Sequence, residues 1–150
     1  MTQGADAEPE ALVHRWFEEL FNRGDLAVAE EILAADVDYH GPPSLTPRDV
    51  SGPEDIGEYA EVYRTAFPDL QYTVESLERV GDRVLVEWSA TGTHRSDLFG
   101  IESTGEVFTV SGIDVFTVED GRITEVHAQW DTLKMVQELG VVPDVGLATE

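Results

Sequence analysis

The sequence predicts an α+β fold, in which a cone-shaped, curved antiparallel sheet packs on three N-terminal helices and a short C-terminal helix follows. Two observations predict this class. Apolar residues recur with a period of about 3.6 as far as Pro68, and beyond it the period changes to about 2. Helices followed by a long antiparallel meander are typical of α+β domains. We expect one domain over residues 10–140, a flexible N-terminus over 1–9 and a tail over 141–150.

The first two helices are predicted from apolar stripes. One runs from about Glu8 to Arg23. Its stripe consists of Leu12, Trp16, Phe17, Leu20 and Phe21. Asp25 is expected to cap the second helix. The apolar residues of that helix are Leu26, Ala29, Ile32 and Leu33. The alternating segment DVDYH, residues 36–40, then predicts a short strand.

The third helix follows a loop. Three prolines within GPPSLTP, residues 41–47, remove hydrogen-bond donors and fix the backbone, so no regular element is expected there. Pro53 suits the first turn of a helix, and Pro68 ends it. The buried stripe of this helix consists of Ile56, Tyr59, Tyr63 and Phe67.

Four strands and a short helix complete the fold. The strands are predicted at Leu70–Val80, Arg83–His94, Glu106–Val118 and Arg122–Trp130, with turns at residues 81–82 and 120–121. Thr132 is expected to cap a last helix through Leu139. Gly140 suits the left-handed position that ends it.

The charge is strongly negative. The chain has 31 Asp and Glu against 9 Lys and Arg, a formal net charge of −22. Nucleic acid is excluded as a partner, because phosphate binding needs clustered Lys and Arg. Self-repulsion of this size destabilises a compact state at low salt and is screened at high salt. We therefore hypothesise a halophilic host with a salt-rich cytoplasm.

Targeting segments are not predicted. No run of about 18 apolar residues occurs, so no membrane span is expected. The first residues, MTQGADAEPEA, lack the charged and apolar regions of a signal peptide. We interpret the chain as a cytoplasmic protein. Because it contains no cysteine, catalysis would have to use oxygen or imidazole groups.

Asp114 stands in a segment that otherwise alternates apolar and polar residues. A two-residue turn at 120–121 places it opposite His127. A three-residue loop with a bulge places it opposite Val126. With the bulge, a largely apolar face opposes a largely polar one, as a half-buried sheet requires, so we favour the bulge. The apolar face then contains Phe108, Val110, Gly112, Asp114, Phe116, Val126, Ala128 and Trp130.

On that face Asp114 is the single carboxyl group. Ionised and unpaired there it would cost several kcal/mol, so we expect a raised pKa or a partner. A neutral carboxylic acid can donate a hydrogen bond to a developing oxyanion, and a carboxylate can accept a proton. Asp114 is therefore the first candidate catalytic residue. The alternative is that it bonds only an interior water or a backbone group.

A ligand pocket is expected on the concave side of the cone. Its predicted lining consists of Phe17, Tyr39, Tyr59, Tyr63, Trp88, His94, Phe108, Phe116, Ala128 and Trp130. The two tryptophans are pocket walls only if the cone is not filled. His94 lies near the rim or at the surface beside the loop that follows it.

His40 is the candidate base, because it ends the first strand where a pocket mouth would lie, although alternation leaves its facing open. His127 and Asp131 are lesser candidates, since the favoured register turns both, with Glu125, outward to the surface or to a dimer contact. No HxH or HxxE pair and no cluster of Asp and His at ligand spacing occurs, so we expect no metal site. Neither a Gly-rich phosphate loop nor a serine nucleophile elbow occurs.

Three segments carry a resemblance to a known family. They are AFPDLQYTVESLERVGDRVLVEWSATGTH, LFGIESTGEVFTVSGIDVFTVEDGRITE and the closing MVQELG. They resemble the SnoaL-like polyketide cyclase family, within the wider nuclear transport factor 2-like superfamily of cystatin-like α+β cones. The resemblance covers about Glu10 to Gly140, and its words FPD, GTH, TG and DGRI mark the family better than the reaction.

The resemblance implies chemistry without a cofactor. Cyclases of this family close a ring by intramolecular aldol condensation with an aspartate on the last strand, where Ala128 stands in this sequence. Related steroid isomerases carry a protonated aspartate on the penultimate strand, where Asp114 stands. Their first-helix tyrosine corresponds to Phe17, and their general base lies near His40 or Gly41, so only His40 can substitute. The standard catalytic sets are therefore incomplete.

Three functions stay open at this point. The first is an enzyme of cyclase, isomerase or hydrolase type, acting without a cofactor on a small apolar carbonyl compound or ester. The second is a module that binds a small apolar molecule without turnover. The third is a scaffold whose cone is filled. Members of the superfamily often pair through their sheets, so the resemblance implies a homodimer.

Overall fold

The computed structural model describes residues 8–46 and 49–141. Its helices are α1 (Pro9–Arg15), α2 (Val28–Ile32), α3 (Gly52–Ala66) and α4 (Thr132–Glu138). Its strands are β1 (Leu33–His40), β2 (Gln71–Val80), β3 (Arg83–Thr93), β4 (Val107–Glu119) and β5 (Arg122–Trp130). The predicted flexible segments lie mostly outside the described residues, since positions 1–7 and 142–150 are not among them. None of the helices in the described ranges is long and apolar enough to cross a membrane.

The predicted α+β class is confirmed. One sheet has the strand order β1-β5-β4-β3-β2. All neighbouring pairs are antiparallel except β1 and β5, which are parallel. These two strands are far apart in the sequence and joined by no hairpin, so nothing forces them to run antiparallel. The sheet is thus antiparallel, as predicted, with one parallel pair at its edge.

The first helix keeps its predicted stripe but changes its winding. Helix α1 continues directly as a π-helical segment, Trp16–Asn22. The five apolar stripe residues are all nearly inaccessible to solvent, so the stripe packs into the core as expected. Asn22 fastens the end of this segment to β2, because its side chain both donates to the carbonyl of Tyr72 (3.0 Å) and accepts from its amide (2.7 Å).

Three predicted helix ends are wrong. Leu33 begins β1 and does not belong to the second helix. Asp25 does not cap α2 through its side chain, because the helix begins one turn later, at Val28, after the non-capping Ala27. Helix α4 is capped by Asp131, whose Oδ1 accepts from the amide of Lys134 (3.0 Å), and not by Thr132.

Candidate functional site

The hairpin of β4 and β5 fixes the facing of Asp114. Glu119 pairs with Arg122 across a two-residue turn. Both turn residues, Asp120 and Gly121, have positive φ (54° and 74°), as a mirror-image hairpin turn requires. The turn is therefore the two-residue alternative, and the favoured three-residue loop is wrong.

A bulge nevertheless occurs, further along β5. Thr117 pairs with Glu125 but Val118 pairs with Ile123, so Thr124 is the extra residue. This bulge shifts the pairing, and Asp114 lies opposite Ala128 instead of His127 or Val126. It also reverses the alternation of β5, so the inner face carries the apolar set that the sequence predicts. The facing of Asp114 was predicted correctly, but its cross-strand partner was not.

Asp114 is buried on this inner face, with 4% of its surface exposed. Its Oδ1 accepts a hydrogen bond from the indole Nε1–H of Trp88 at 2.9 Å. Burial raises the pKa of Asp114 to about 7, and the bond from Trp88 opposes part of that rise. The carboxyl group therefore changes charge near neutral pH. The donor to Asp114 is thus a side chain, whereas the alternative in the sequence analysis was a water or a backbone group.

Three further buried polar groups are the phenols of Tyr39, Tyr59 and Tyr63. The hydroxyls of Tyr39 and Tyr59 lie 3.3 Å apart, and that of Tyr63 donates to the carbonyl of Leu45 (2.8 Å). Burial raises the pKa of all three tyrosines, so each stays a neutral phenol. The negative charge of Asp114 adds to the raised pKa of Tyr39 and of Tyr59. Charge on Asp114 is therefore felt across this face.

The space on the inner face is small. A cavity of about 10 Å³ is lined by Tyr63, Leu70, Tyr72, Trp88, Ala90, Phe108, Val110, Trp130 and Met135. This is about the volume one water molecule needs. Four residues of the predicted lining are among these, namely Tyr63, Trp88, Phe108 and Trp130. The others, Phe17, Tyr39, Tyr59, Phe116 and Ala128, are buried in the core.

His94 is neither at a pocket rim nor at the surface. Its side chain is fully buried, and Nδ1 lies 3.3 Å from the amide of Thr104 and 3.2 Å from its hydroxyl. Its backbone carbonyl accepts from Gly105 (2.9 Å), and its amide donates to Glu106 (2.9 Å). The ring therefore anchors the loop between β3 and β4 through Nδ1, while its Nε2 is buried without a hydrogen-bond partner among the described residues.

His40 does not approach Asp114. The pairing of Tyr39 with Val126 turns Tyr39 inward, so the next residue, His40, points outward with half of its side chain exposed. The proposed acid and base therefore lie on opposite faces of the sheet. His40 cannot act on a molecule beside Asp114 without refolding of β1.

A cluster that the sequence analysis missed lies on the outer face. The Nε2 atoms of His40 and His127 lie 3.0 and 3.3 Å from Oε2 of Glu125. The two imidazole rings stack with their centroids 4.4 Å apart. These three residues could hold a metal ion. The sequence analysis did not identify this grouping, because the residues come from two strands that spacing along the chain does not connect.

Asp131, the other lesser candidate, lies at a groove of about 450 Å³. The lining of this groove combines outward-facing residues with three residues of the apolar face, namely Glu87, Ile113 and Gln129 with Trp88, Gly112 and Trp130. The main contact of the Asp131 side chain is the cap of α4 described above. Asp131 therefore has a structural role at the start of α4, and it shares the groove with Trp88, the hydrogen-bond partner of Asp114.

Comparison with known proteins points to one family. The model of the SnoaL-like polyketide cyclase family matches residues 11–139. IdmH from Streptomyces antibioticus, a candidate polyketide cyclase, is 28% identical, with a TM-score of 0.77 over 90% of this chain and 100% of its own. No curated protein matches the chain.

Two further solved structures show the same fold at lower identity. A candidate SnoaL-like polyketide cyclase from Jannaschia sp. CCS1 is 23% identical, with a TM-score of 0.81 over 95% of this chain and 99% of its own. TsrD from Streptomyces laurentii is 22% identical, with a TM-score of 0.78 over the same shares.

Proposed function

Since the chain belongs to the SnoaL-like polyketide cyclase family, we propose that it is an enzyme that performs acid–base chemistry without a cofactor. Its substrate is a small apolar carbonyl compound or ester, and the reaction is of the cyclase or isomerase type. The observation that carries this proposal is the buried carboxyl group of Asp114, held by Trp88 on the inner face of the sheet.

The charge behaviour of Asp114 suits this chemistry. A general acid or base works best when its pKa lies near the operating pH. With a pKa of about 7, Asp114 is present both as carboxylic acid and as carboxylate at neutral pH. The acid form can donate to an oxyanion, and the carboxylate can remove a proton from the carbon beside a carbonyl. The Trp88 N–H holds one oxygen and leaves the other for substrate.

The pairing of Asp114 with Ala128 also supports this role. Family cyclases carry their aspartate at the position of Ala128, by the resemblance described above. Residues directly opposite on an antiparallel pair have their Cβ atoms about 5 Å apart. A carboxyl group on Asp114 therefore stands beside the position where the family has one, and the methyl side chain of Ala128 leaves that position without a competing charge.

Substrate entry requires the inner face to open, because a cavity of about 10 Å³ holds no organic molecule. Helix α4 is the element suited to move. It is seven residues long, and its Met135 closes one side of the cavity beside Trp130. Its displacement would break the contacts of Glu138 and Lys134 with Thr109 of β4 and would expose Met135, which is 1% exposed. We propose that α4 moves away when substrate binds.

The test uses α-proton exchange, which does not need the natural substrate. A panel of aryl ketones is incubated in D₂O with the wild type, and NMR follows the loss of the α-proton. Hydrolysis of aryl esters is followed in parallel. The Asp114→Asn variant is expected to lose at least about a hundredfold of the rate, as removal of a general base does.

Asp120→Asn is the matched control. It makes the same chemical change six residues away, in an exposed turn where Asn-Gly is equally favoured. Its rate should equal that of the wild type. Exchange by Asp114→Asn at the wild-type rate would remove the basis of the proposal.

A filled cone favours a second candidate, a dimeric scaffold without turnover. The outer face of the sheet presents apolar side chains, with Leu85, Ile113 and Val107 between 39 and 55% exposed. A homodimer paired through this face would cover them. Light scattering in high salt should then give twice the chain mass for the wild type and one chain mass for Ile113→Lys. A monomeric wild type would contradict this candidate.

We also propose that the acidic surplus adapts the protein to a salt-rich cytoplasm. The support is the net charge of −22, which screening by salt makes less costly to a compact chain. A salt titration, given below, tests the physical part of this proposal.

A further inference from the structure

Two adjacent strands assemble the outer cluster of His40, Glu125 and His127. Glu125 and His127 are alternate residues of β5, so their side chains leave the same face of the sheet. His40 pairs directly with His127 across the parallel β1–β5 ladder. The inward neighbours Tyr39 and Val126 are buried, so the core itself fixes which way the three polar side chains point. The cluster is thus a product of the fold.

The three donor atoms lie close together, and the two stacked rings, whose planes are 17° apart, must rotate for both lone pairs to point at one ion. Nε2 of His40, Nε2 of His127 and a carboxylate oxygen of Glu125 all lie within 4.8 Å of one another. Zinc binds imidazole nitrogen and carboxylate oxygen at about 2.0–2.2 Å, so two tetrahedral ligands stand about 3.3 Å apart. The separations of 3.0 and 3.3 Å from Glu125 to the two histidines match that spacing.

We propose that His40, Glu125 and His127 bind one divalent transition-metal ion on the outer face of the sheet. Two imidazoles and one carboxylate are a donor set that Zn²⁺ and its first-row neighbours prefer, whereas Mg²⁺ and Ca²⁺ prefer oxygen alone. Three protein ligands leave a coordination position open, and the half-exposed side chains give it access to water.

The surroundings favour a cation. Asp38 pairs with Glu125 across the ladder and is also exposed, so a second carboxylate lies beside the cluster. No positively charged lysine or arginine appears among the ion-pair partners of Glu125 in the described residues.

A bound metal ion would crosslink the edge strand β1 to its neighbour β5. β1 is an edge strand, and its pairing with β5 joins segments 87 positions apart at His40 and His127. A bound ion crosslinks the two strands on the outside while the core holds them on the inside. Metal binding should therefore raise the temperature of unfolding, since only the folded chain brings the ligands together.

The test is calorimetric titration with ZnCl₂ on protein carrying no affinity tag. About 1 M KCl and an excess of MgCl₂ suppress general attraction to the acidic surface. The wild type should bind one Zn²⁺ per chain. His127→Gln, at an exposed position that folding tolerates, should bind at least about tenfold more weakly, as loss of even a supporting residue of a metal site does.

His14→Gln is the matched control. His14 is exposed and has a carboxylate neighbour, Glu18 at 3.9 Å, but it lies outside the cluster of His40, Glu125 and His127. It should bind Zn²⁺ like the wild type. Equal affinity of the wild type and His127→Gln would overturn the proposal, as would a ratio of one Zn²⁺ to two chains. Absorption of bound Co²⁺ gives an independent readout, since it depends on the ligands and not on folding. None of these results depends on the enzymatic proposal for Asp114.

Discussion

The two faces of the sheet place ionisable groups in opposite surroundings. On the inner face, Asp114 is buried among aromatic side chains and holds one hydrogen bond, from Trp88. On the outer face, two histidines and a glutamate contact one another while remaining in water. Asp114 and Trp88 lie on β4 and β3, and the outer cluster lies on β5 and β1. The two sites therefore occupy neighbouring strands of one sheet and opposite faces of it.

The difference teaches where electrostatic effects are large. Water screens charges on the outer face, so contacts there contribute little to stability unless a metal ion replaces water. On the inner face water is excluded, and burial raises the pKa of a carboxyl group far above its ordinary value. One buried carboxyl can therefore matter more to folding than three exposed groups. The predictions below test this contrast.

The largest effect should come from Asp114→Asn. The pKa of Asp114 is about 7 in the folded protein against 3.8 for an ordinary aspartate. Between these values the folded chain keeps a proton that the unfolded chain has lost, so rising pH lowers the free energy of unfolding. The loss is about 4 kcal/mol and is complete above about pH 8. Asn does not titrate, so the variant should gain about this much relative to wild type between about pH 4 and pH 8.

Denaturant unfolding of both proteins across this pH range measures the effect. The difference between the two proteins removes the contribution of the other acidic residues, which both share. Asp120→Asn should show no such trend. A difference between Asp114→Asn and wild type that stays constant with pH would show that Asp114 is not held in a water-excluded site.

Trp88→Phe should have the next largest effect. Its indole N–H stabilises the ionised form of Asp114. A hydrogen bond to a charged group contributes about 2 kcal/mol, so the variant should lose about that much more stability at pH 8 than at about pH 5, where Asp114 is neutral. The pKa of Asp114, followed by carbon NMR of its carboxyl group, should rise above that of the wild type. An unchanged pKa of Asp114 in the variant would contradict the role given to Trp88.

The sequence predicted the fold and the facing of Asp114 because both follow from patterns that extend over many residues. Apolar alternation on β4 and β5 must match across the hairpin. That requirement places Asp114 on the inner face of the sheet, whichever local irregularity of the strands satisfies it. It does not say where the irregularity lies. The Asp-Gly turn and the apolar face are both preserved because the bulge lies at Thr124, a position that no residue type marks.

The outer cluster and the size of the cavity could not be predicted in the same way. His40 and His127 meet only because β1 pairs in parallel with β5, and no spacing in the sequence records that pairing. The cavity depends on how aromatic rings interlock, such as Trp88 against Tyr72 and Trp130 at 5.0 and 6.1 Å. Composition predicts an apolar interior, but it does not decide whether that interior is full.

Salt should act on the surface and leave the inner face unchanged. Two carboxylates about 10 Å apart repel by roughly 0.4 kcal/mol in water, and about 1 M KCl shortens the screening length from about 10 Å to about 3 Å. Wild-type stability should therefore rise by on the order of 1 kcal/mol from about 0.1 to 1 M KCl, while the difference between Asp114→Asn and wild type stays constant. An unfolding midpoint independent of KCl would contradict the proposed adaptation to salt.

The smallest effect should come from His127→Gln in protein freed of metal by a chelator. Exposed contacts between histidine and glutamate contribute about 0 to 1 kcal/mol, so the variant should unfold within about 0.5 kcal/mol of the wild type. Adding ZnCl₂ should then separate the two proteins, because only the wild type keeps all three ligands. A large loss of stability without metal would show that the outer cluster, like Asp114, is shielded from water. The contrast between the two faces would then be wrong.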